Sequence, residues 1–134
     1  MKKLVEIEGI GAKYAGTLEQ AGVKSVDALL TAGATRKGRE ELAAKTGVSG
    51  KLILRWVNMA DLFRVKGVGE EFADLVEAAG VDTVVELGKR IPANLVKTMQ
   101  EVNETKKLVR RVPLVGEVEA WVKQAKELPR VVTY

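Results

Sequence analysis

Two glycine-apolar-glycine loops carry the residues of this chain whose types and spacing favour a binding chemistry. The first loop is Gly9-Ile10-Gly11, and the second is Gly67-Val68-Gly69. Glycine tolerates positive φ, so the chain can reverse tightly while the middle residue is buried. When a helix begins at the second glycine, its free N–H groups point outward past a residue that has no Cβ. Such bare amides form an anion site suited to phosphate.

The two loops differ in the charged side chains beside them. Lys13 lies two residues after the first loop and Lys66 directly precedes the second, so both could supply positive charge to a phosphate. The carboxylates that would oppose such binding are Glu6, Glu8, Glu70 and Glu71. A carboxylate in the first turn of a helix favours the helix dipole but repels phosphate. We therefore expect the first loop to be the one that binds phosphate, and we interpret the second as a structural turn.

A basic group near the C-terminal end could bind phosphate as well. The group consists of Lys106, Lys107, Arg110 and Arg111. Asn103 before it is a typical N-cap, and the cations recur at i, i+4 spacing, which predicts a basic helix to about Val112. One side of that helix could straddle a phosphate backbone. An ordinary solvated helix surface is the alternative.

Residues 42–56 resemble the helix-turn-helix of transcription regulators, with Gly47 in the turn and an apolar residue at Trp56. In that interpretation Ser49, Lys51 and Arg55 would reach base edges or phosphates. The stretch after Ser49 is apolar on nearly every side, which is typical of a buried helix. We favour a central helix shared by two halves over a recognition helix.

The residue types present exclude most catalytic and metal chemistry. The chain of 134 residues has no histidine and no cysteine, which removes Ser-His-Asp and Cys-His nucleophiles and ordinary histidine- or cysteine-based metal sites. No group of carboxylates has the spacing of a metal site. We therefore expect a protein that is not an enzyme and that binds no metal or other cofactor. The lack of cysteine also favours the cytoplasm.

Charge and hydropathy permit a nucleic-acid partner without requiring one. The net charge is +4, and residues 1–61 hold 10 of the 22 basic and 7 of the 18 acidic side chains. Apolar residues make up 46% of the chain, a globular composition. No apolar run is long enough to cross a membrane. The expected partner is DNA, or else another protein, and not a membrane.

An internal repeat organises the chain. A shift of 58 residues places both glycines of the first loop on those of the second, and it places Ala21-Gly22-Val23 on Ala79-Gly80-Val81. Glycines and apolar positions match while the charges differ, which is typical of a duplicated structural unit. We predict two units, residues 1–61 and 62–134, packed as one compact body.

Helical periodicity dominates the chain and no period-2 stretch appears, so the predicted fold class is all-α without a sheet. Capping serines and threonines, glycines and prolines mark the predicted helix ends. The predicted helices cover residues 12–21, 26–32, 36–46, 50–63, 70–79, 84–90, 92 onward, 104–112 and 116–128.

The loop pattern resembles the helix-hairpin-helix motif. The pattern is Ile7-x-Gly-Ile-Gly-x-x-x-Ala-x-x-Leu18, matched by Val65-x-Gly-Val-Gly-x-x-x-Ala-x-x-Val76. In that family the hairpin amides hold the DNA backbone without reading its sequence, often with a basic residue just after the hairpin. The resemblance implies DNA contacts from Gly9, Ile10, Gly11 and Lys13, and from Lys66, Gly67 and Gly69.

Almost the whole chain also resembles an uncharacterised prokaryotic family, domain of unknown function 4332. The segments "GIG", "GVGEEFADLVEAAGVDTVVEL", "WVNMADLFRVKGVG" and "LPRVVTY" carry this resemblance. It implies two tandem helix-hairpin-helix units, a SAM-like helical bundle, and brings no established activity.

Two functions are compatible with these patterns. The first is a small DNA-binding protein or accessory module that contacts backbone phosphates without sequence preference. The alternative is a protein-interaction or scaffolding module in which the loops are purely structural. The alternative predicts an exposed apolar patch, for example at Trp121 or in the tail Val131–Tyr134.

Overall fold

Eight α-helices and one 3-10 helix build the chain in the computed structural model, which describes residues 2–134. No strand occurs within that range, so the predicted all-α fold class is confirmed. The 3-10 helix spans Leu4–Glu6. The α-helices are α1 Ala12–Gln20, α2 Val26–Ala32, α3 Arg36–Thr46, α4 Gly50–Leu62, α5 Glu70–Ala78, α6 Val84–Gly88, α7 Pro92–Lys106 and α8 Val115–Glu127.

The helices divide into two compact units. Unit 1 consists of residues 2–61 together with Val131–Tyr134, and unit 2 consists of Leu62–Arg130. Helix α4 therefore belongs to unit 1 except for its last residue. Unit 1 is discontinuous in sequence, because its last four residues follow the whole of unit 2. That the two units share α4 and form one body stays a prediction.

Several helices begin or end at the capping residues that the sequence predicts. Ser25 and Thr35 each accept a backbone N–H through the side-chain oxygen, at 3.1 and 3.0 Å. Gly47 follows α3 with a φ of +74°, which suits glycine. Pro92 occupies the first turn of α7, where its missing N–H costs nothing. The predicted bounds of α3 are confirmed.

The 58-residue repeat is confirmed in the backbone of the two units. Helices α1 and α5 have nine residues each and begin 58 residues apart. Gly9 and Gly67 share a φ of +94°. The turn after each helix includes a hydrogen bond at matching positions, from the Val23 N–H to the Leu18 carbonyl in unit 1 and from the Val81 N–H to the Val76 carbonyl in unit 2. The register changes later, because α8 begins 65 residues after α4.

Each unit has its own apolar core, to which its tryptophan contributes. The largest fully buried side chains of unit 1 are Trp56, Ile7, Leu18, Leu29, Ile53, Met59 and Val26. Those of unit 2 are Leu62, Leu75, Leu87, Leu95 and Met99. In unit 2, α8 packs against both α6 and α7. Trp121 of α8 is 3% exposed and completes that core.

The predicted basic helix after Asn103 is wrong. Helix α7 continues through Asn103, and Lys107 ends it with a left-handed φ of 51°. The Asn103 side chain accepts a hydrogen bond from the Val109 N–H at 3.0 Å and donates one to the Val109 carbonyl at 3.1 Å. These bonds hold the chain in a turn, so the basic group does not share one helix face. Its members Lys106, Lys107, Arg110 and Arg111 lie at the end of α7 and in the connection to α8.

Candidate nucleic-acid interface

The first loop, Gly9–Gly11, leads directly into α1. Gly9 is exposed and takes the positive φ that a residue with a Cβ would resist. Ile10 is 3% exposed, and its N–H donates to the Ile7 carbonyl at 3.0 Å. Gly11 has extended backbone and is the N-cap of α1. The predicted tight reversal around a buried apolar residue is therefore confirmed.

The start of α1 carries the polar groups that suit an anion. Gly11 has no side chain with which to cap the helix, so its first amides depend on other partners. The partial positive charge of a helix N-terminus lies at this end. Lys13, the second residue of α1, is exposed. The loop thus presents backbone donors together with a lysine.

A guanidinium from α4 reaches the same loop. The Arg55 Nη1 lies 3.7 Å from the point that a Cβ on Gly9 would occupy. The sequence pattern indicated a role for Arg55 only as part of a recognition helix. Helical periodicity places Arg55 on α4 but does not show which loop α4 meets, so this neighbour of Gly9 was missed. Its position next to the buried Trp56 is the signal that could have found it.

An aromatic pair lies behind the first loop. Trp56 is fully buried and meets Tyr14 edge-on, with ring centroids 5.0 Å apart. Its Nε1 lies 3.5 Å from the Cβ point of Gly9. No acceptor within residues 2–134 takes the hydrogen of that nitrogen, and an unsatisfied buried donor costs about 1–3 kcal/mol. The first loop therefore packs against a buried indole ring whose N–H has no hydrogen-bond acceptor among these residues.

The second loop has the same backbone and a different surface. The Lys66 N–H donates to the Gln124 Oε1 at 3.0 Å, and the Gln124 Nε2 donates to the Lys66 carbonyl at 3.2 Å. Gln124 thus binds both backbone polar groups of Lys66, the residue that directly precedes the loop. The matching residue in α4 of unit 1 is Met59, which cannot form such bonds.

Acidic residues and a tighter aromatic contact also distinguish the second loop. Glu70 and Glu71 occupy the first turn of α5. The Trp121 Nε1 lies 2.7 Å from the Cβ point of Gly67, which leaves no room for a side chain there. Gly69 is the N-cap of α5, as Gly11 is of α1. The structure brings Lys66, Gly67 and Gly69 together as predicted, in a setting that is unfavourable to phosphate.

The comparison with protein families decides the identity of the chain. The model of a domain of unknown function, DUF4332, matches residues 8–128. The chain belongs to the DUF4332 family. No curated protein and no solved structure matches it. The predicted resemblance to this family is confirmed.

Residues 42–56 of this DUF4332 protein, which resemble a helix-turn-helix in sequence, comprise the end of α3, a turn and the first half of α4. Ser49 accepts the Leu52 N–H through its hydroxyl at 3.2 Å, so that hydroxyl acts as a helix cap. Lys51 is exposed, whereas Leu54 and Arg55 are half-buried. A role of this stretch as a recognition helix stays a prediction.

In the basic group of the DUF4332 protein, Arg111 forms an ion pair with a carboxylate. The Arg111 guanidinium donates two hydrogen bonds to the Glu117 carboxylate, at 2.5 and 3.2 Å. These bonds, and a weaker one from the Leu114 N–H, lower the pKa of Glu117 below its usual value. Contact of Lys106, Lys107, Arg110 and Arg111 with DNA stays a prediction.

We expect Arg111→Met to raise the pKa of Glu117 toward its usual value, because the hydrogen bonds from the guanidinium are the main cause of its depression. A depressed folded-state pKa stabilises the fold above the unfolded-state pKa, and this stabilisation is lost as pH falls through the folded-state value. Carboxyl carbon NMR across acidic pH measures the titration. Arg110→Met is the matched control and should leave the pKa of Glu117 unchanged; an equal rise in both variants would contradict the assignment.

Metal ions and membranes are two further kinds of partner for which the described residues can be searched. Within residues 2–134, no three histidine, cysteine or acidic side chains are grouped so that they could hold a metal ion. None of the helices in that range has the length and apolar character that a membrane span requires.

Proposed function

We propose that this DUF4332 protein is a small, non-enzymatic DNA-binding protein or accessory module that contacts backbone phosphates without reading sequence. The first loop acts as a helix-hairpin-helix contact. The observation that carries the proposal is the exposed Gly9 loop, which has the Arg55 guanidinium from α4 beside Gly9 and the exposed Lys13 in the first turn of the helix that follows. Backbone donors at a helix start, joined by two cations, match the chemistry of a phosphate.

Electrostatics supports a nonspecific mode of binding. Lysine, arginine and backbone amides recognise phosphate oxygens, which are the same for every base pair. Release of counterions makes such binding weaken steeply as salt rises. The modest net charge of +4 is consistent with a local contact surface. The lack of cysteine supports a cytoplasmic setting.

The contacts of the second loop favour the alternative for that loop, a purely structural role. Gln124 bonds the backbone of Lys66, and Glu71 stands where Lys13 stands in unit 1. A carboxylate at that point repels a phosphate. We therefore assign DNA contact to unit 1, and we treat the second loop as a turn that joins helices.

The test is binding of a fluorescent DNA duplex of arbitrary sequence, measured by anisotropy over a series of salt concentrations. Wild type should bind in low salt and weaken steeply as salt rises. Lys13→Glu and Arg55→Gln should each weaken binding by about tenfold in low salt, because each removes a cation beside the phosphate. A second duplex of unrelated sequence should bind equally well.

Lys24→Glu is the matched control, since it changes the net charge as Lys13→Glu does. Lys24 is exposed and lies beyond the far end of α1. Glu71→Lys, which gives unit 2 the residue of unit 1, should add little because Gln124 still holds that loop. Equal losses in Lys13→Glu and Lys24→Glu would rule out a local contact at the first loop. Absence of binding in low salt would favour the scaffolding alternative.

A further inference from the structure

The tail Val131–Tyr134 shows how unit 1 holds a short non-helical segment. Thr133 donates its N–H to the Ala34 carbonyl at 2.8 Å, and its own carbonyl accepts from Arg39 Nη2 at 2.8 Å. Val132 is 2% exposed. The Tyr134 hydroxyl lies 3.5 Å from the Asn58 Oδ1. The segment therefore docks between the α2–α3 junction and one face of α4.

Unit 2 has elements at the positions that correspond to these two surfaces. Three residues join α2 to α3 with Ala34 in the middle, and three join α6 to α7 with Arg90 in the middle. Each long helix carries a buried tryptophan seven positions into it, so Asn58 of α4, two residues after Trp56, corresponds to Lys123 of α8. By this correspondence the α6–α7 junction and the Lys123 face of α8 lie at the positions of the tail-binding surface, with Leu95 at the position of Arg39.

A groove lies at this place in unit 2. Its volume is about 410 Å³, within the range of ligand sites. Its lining includes Lys89, Ile91, Glu119, Val122, Lys123 and Lys126. Ile91 is 62% exposed, which is unusual for a large apolar side chain beside three lysines. We call this the unit-2 groove.

Charge distinguishes the unit-2 groove from its counterpart. The positions that hold Asn58 and Asp61 in unit 1 hold Lys123 and Lys126 in unit 2. Lys89 adds a third exposed cation, and Glu119 is the one carboxylate in the lining. Arg90 is engaged internally by Glu86 and the Gly80 carbonyl. The groove is therefore cationic with an apolar floor.

We propose that the unit-2 groove binds an extended acidic segment of a partner protein, in the way that unit 1 binds its own tail. The segment would place an apolar side chain against Ile91 and Val122 and its carboxylates against Lys123 and Lys126. The tail of a second copy is a poor occupant, because its sequence VVTY has no acidic side chain and directly follows the basic Arg130. This site lies in unit 2 and does not depend on DNA binding by unit 1.

A protein segment fits the groove better than a nucleic-acid backbone does. The counterpart in unit 1 is occupied by peptide, through a backbone hydrogen bond and a buried valine. The apolar side chains of Ile91 and Val122 have no partner in a phosphate backbone. Cations beside an apolar floor match a chain in which carboxylates flank a valine or isoleucine.

The test uses capped synthetic pentapeptides based on the tail sequence, titrated into the isotopically labelled full-length protein and followed by NMR chemical shifts. The acidic peptide EVVDY should shift the amides of residues 88–91 and 119–126. The neutral peptide QVVNY should bind about tenfold more weakly, because it lacks the two carboxylates that face lysines. A short DNA duplex is the third probe.

The deciding variant is Lys123→Asn with Lys126→Asp, which gives the groove the residues of unit 1. It should weaken binding of EVVDY by about tenfold or more. The pair Lys24→Asp and Lys97→Asn makes the same change in charge at exposed positions outside the groove and should leave the affinity unchanged. Native-like NMR spectra of both variants establish that they fold. The proposal is overturned if EVVDY shifts no groove amide, if both double variants lose affinity equally, or if the duplex alone shifts the groove.

Discussion

Deletion of Val131–Tyr134 should lower the free energy of unfolding of unit 1 by about 4 kcal/mol. Val132 is 2% exposed, and burial of a valine side chain contributes about 2 kcal/mol. Arg39 is 6% exposed, and the Thr133 carbonyl accepts one of its hydrogen bonds. Loss of that acceptor costs about 1–3 kcal/mol, because Arg39 Nη2 loses its hydrogen bond while Nη1 keeps its bond to the Gly33 carbonyl.

Residue-resolved amide hydrogen exchange measures this effect within unit 1 and within unit 2 separately. Protection of the Leu29 and Gly33 amides should fall, whereas protection of Leu87 and Leu95 in unit 2 should hold. Val132→Ala should give an intermediate loss. Thr133→Ala keeps the backbone bonds of the tail and is the near-neutral control. Unchanged protection of unit 1 in the deletion variant would contradict the docking of the tail.

Gly67→Ala should destabilise unit 2 by about 3 kcal/mol, whereas Gly9→Ala should cost unit 1 only about 1 kcal/mol. The two glycines share a φ of +94°, so an added Cβ is strained equally in both. The space differs, because that Cβ would lie 2.7 Å from Trp121 Nε1 in unit 2 but 3.5 Å from Trp56 Nε1 in unit 1. The buried Trp121 ring would have to move.

Chemical denaturation with exchange of the same probe amides distinguishes the two substitutions. Gly11→Ala and Gly69→Ala are matched controls, since both positions have extended backbone, and among residues 2–134 only the immediate chain neighbours lie within 4 Å of the added Cβ. Each should change stability by less than about 0.5 kcal/mol. Equal losses for Gly9→Ala and Gly67→Ala would show that backbone strain alone determines the cost.

The local elements could be predicted because each depends on neighbours in sequence. The helix Arg36–Thr46 begins at a threonine that caps it and ends at a glycine with positive φ, and both signals are visible in the residues. The two loops could be predicted for a related reason: the duplicated glycines require the same backbone wherever they occur. Burial of Ile10 and Val68 follows from the same pattern.

Contacts between distant residues could not be predicted in this way. Asn103 is a good helix cap by type, but its side chain bonds Val109 beyond the end of α7. The clamp of Gln124 on Lys66 joins residues 58 positions apart in sequence. The approach of Arg55 to Gly9 depends on how α4 packs, which periodicity does not determine. The candidate site was therefore found in part, with its loop and lysine but without its arginine.

The discontinuity of unit 1 has a consequence for the order of events during synthesis. Translation proceeds from the N-terminus, and domains generally fold as units when their residues have emerged. Unit 2 is one continuous segment, so all its residues are available once Arg130 has left the ribosome. Unit 1 lacks Val132 until the segment that follows unit 2 has emerged, and until then Arg39 has no Thr133 carbonyl to bind. The half of the chain that is made first is therefore completed last.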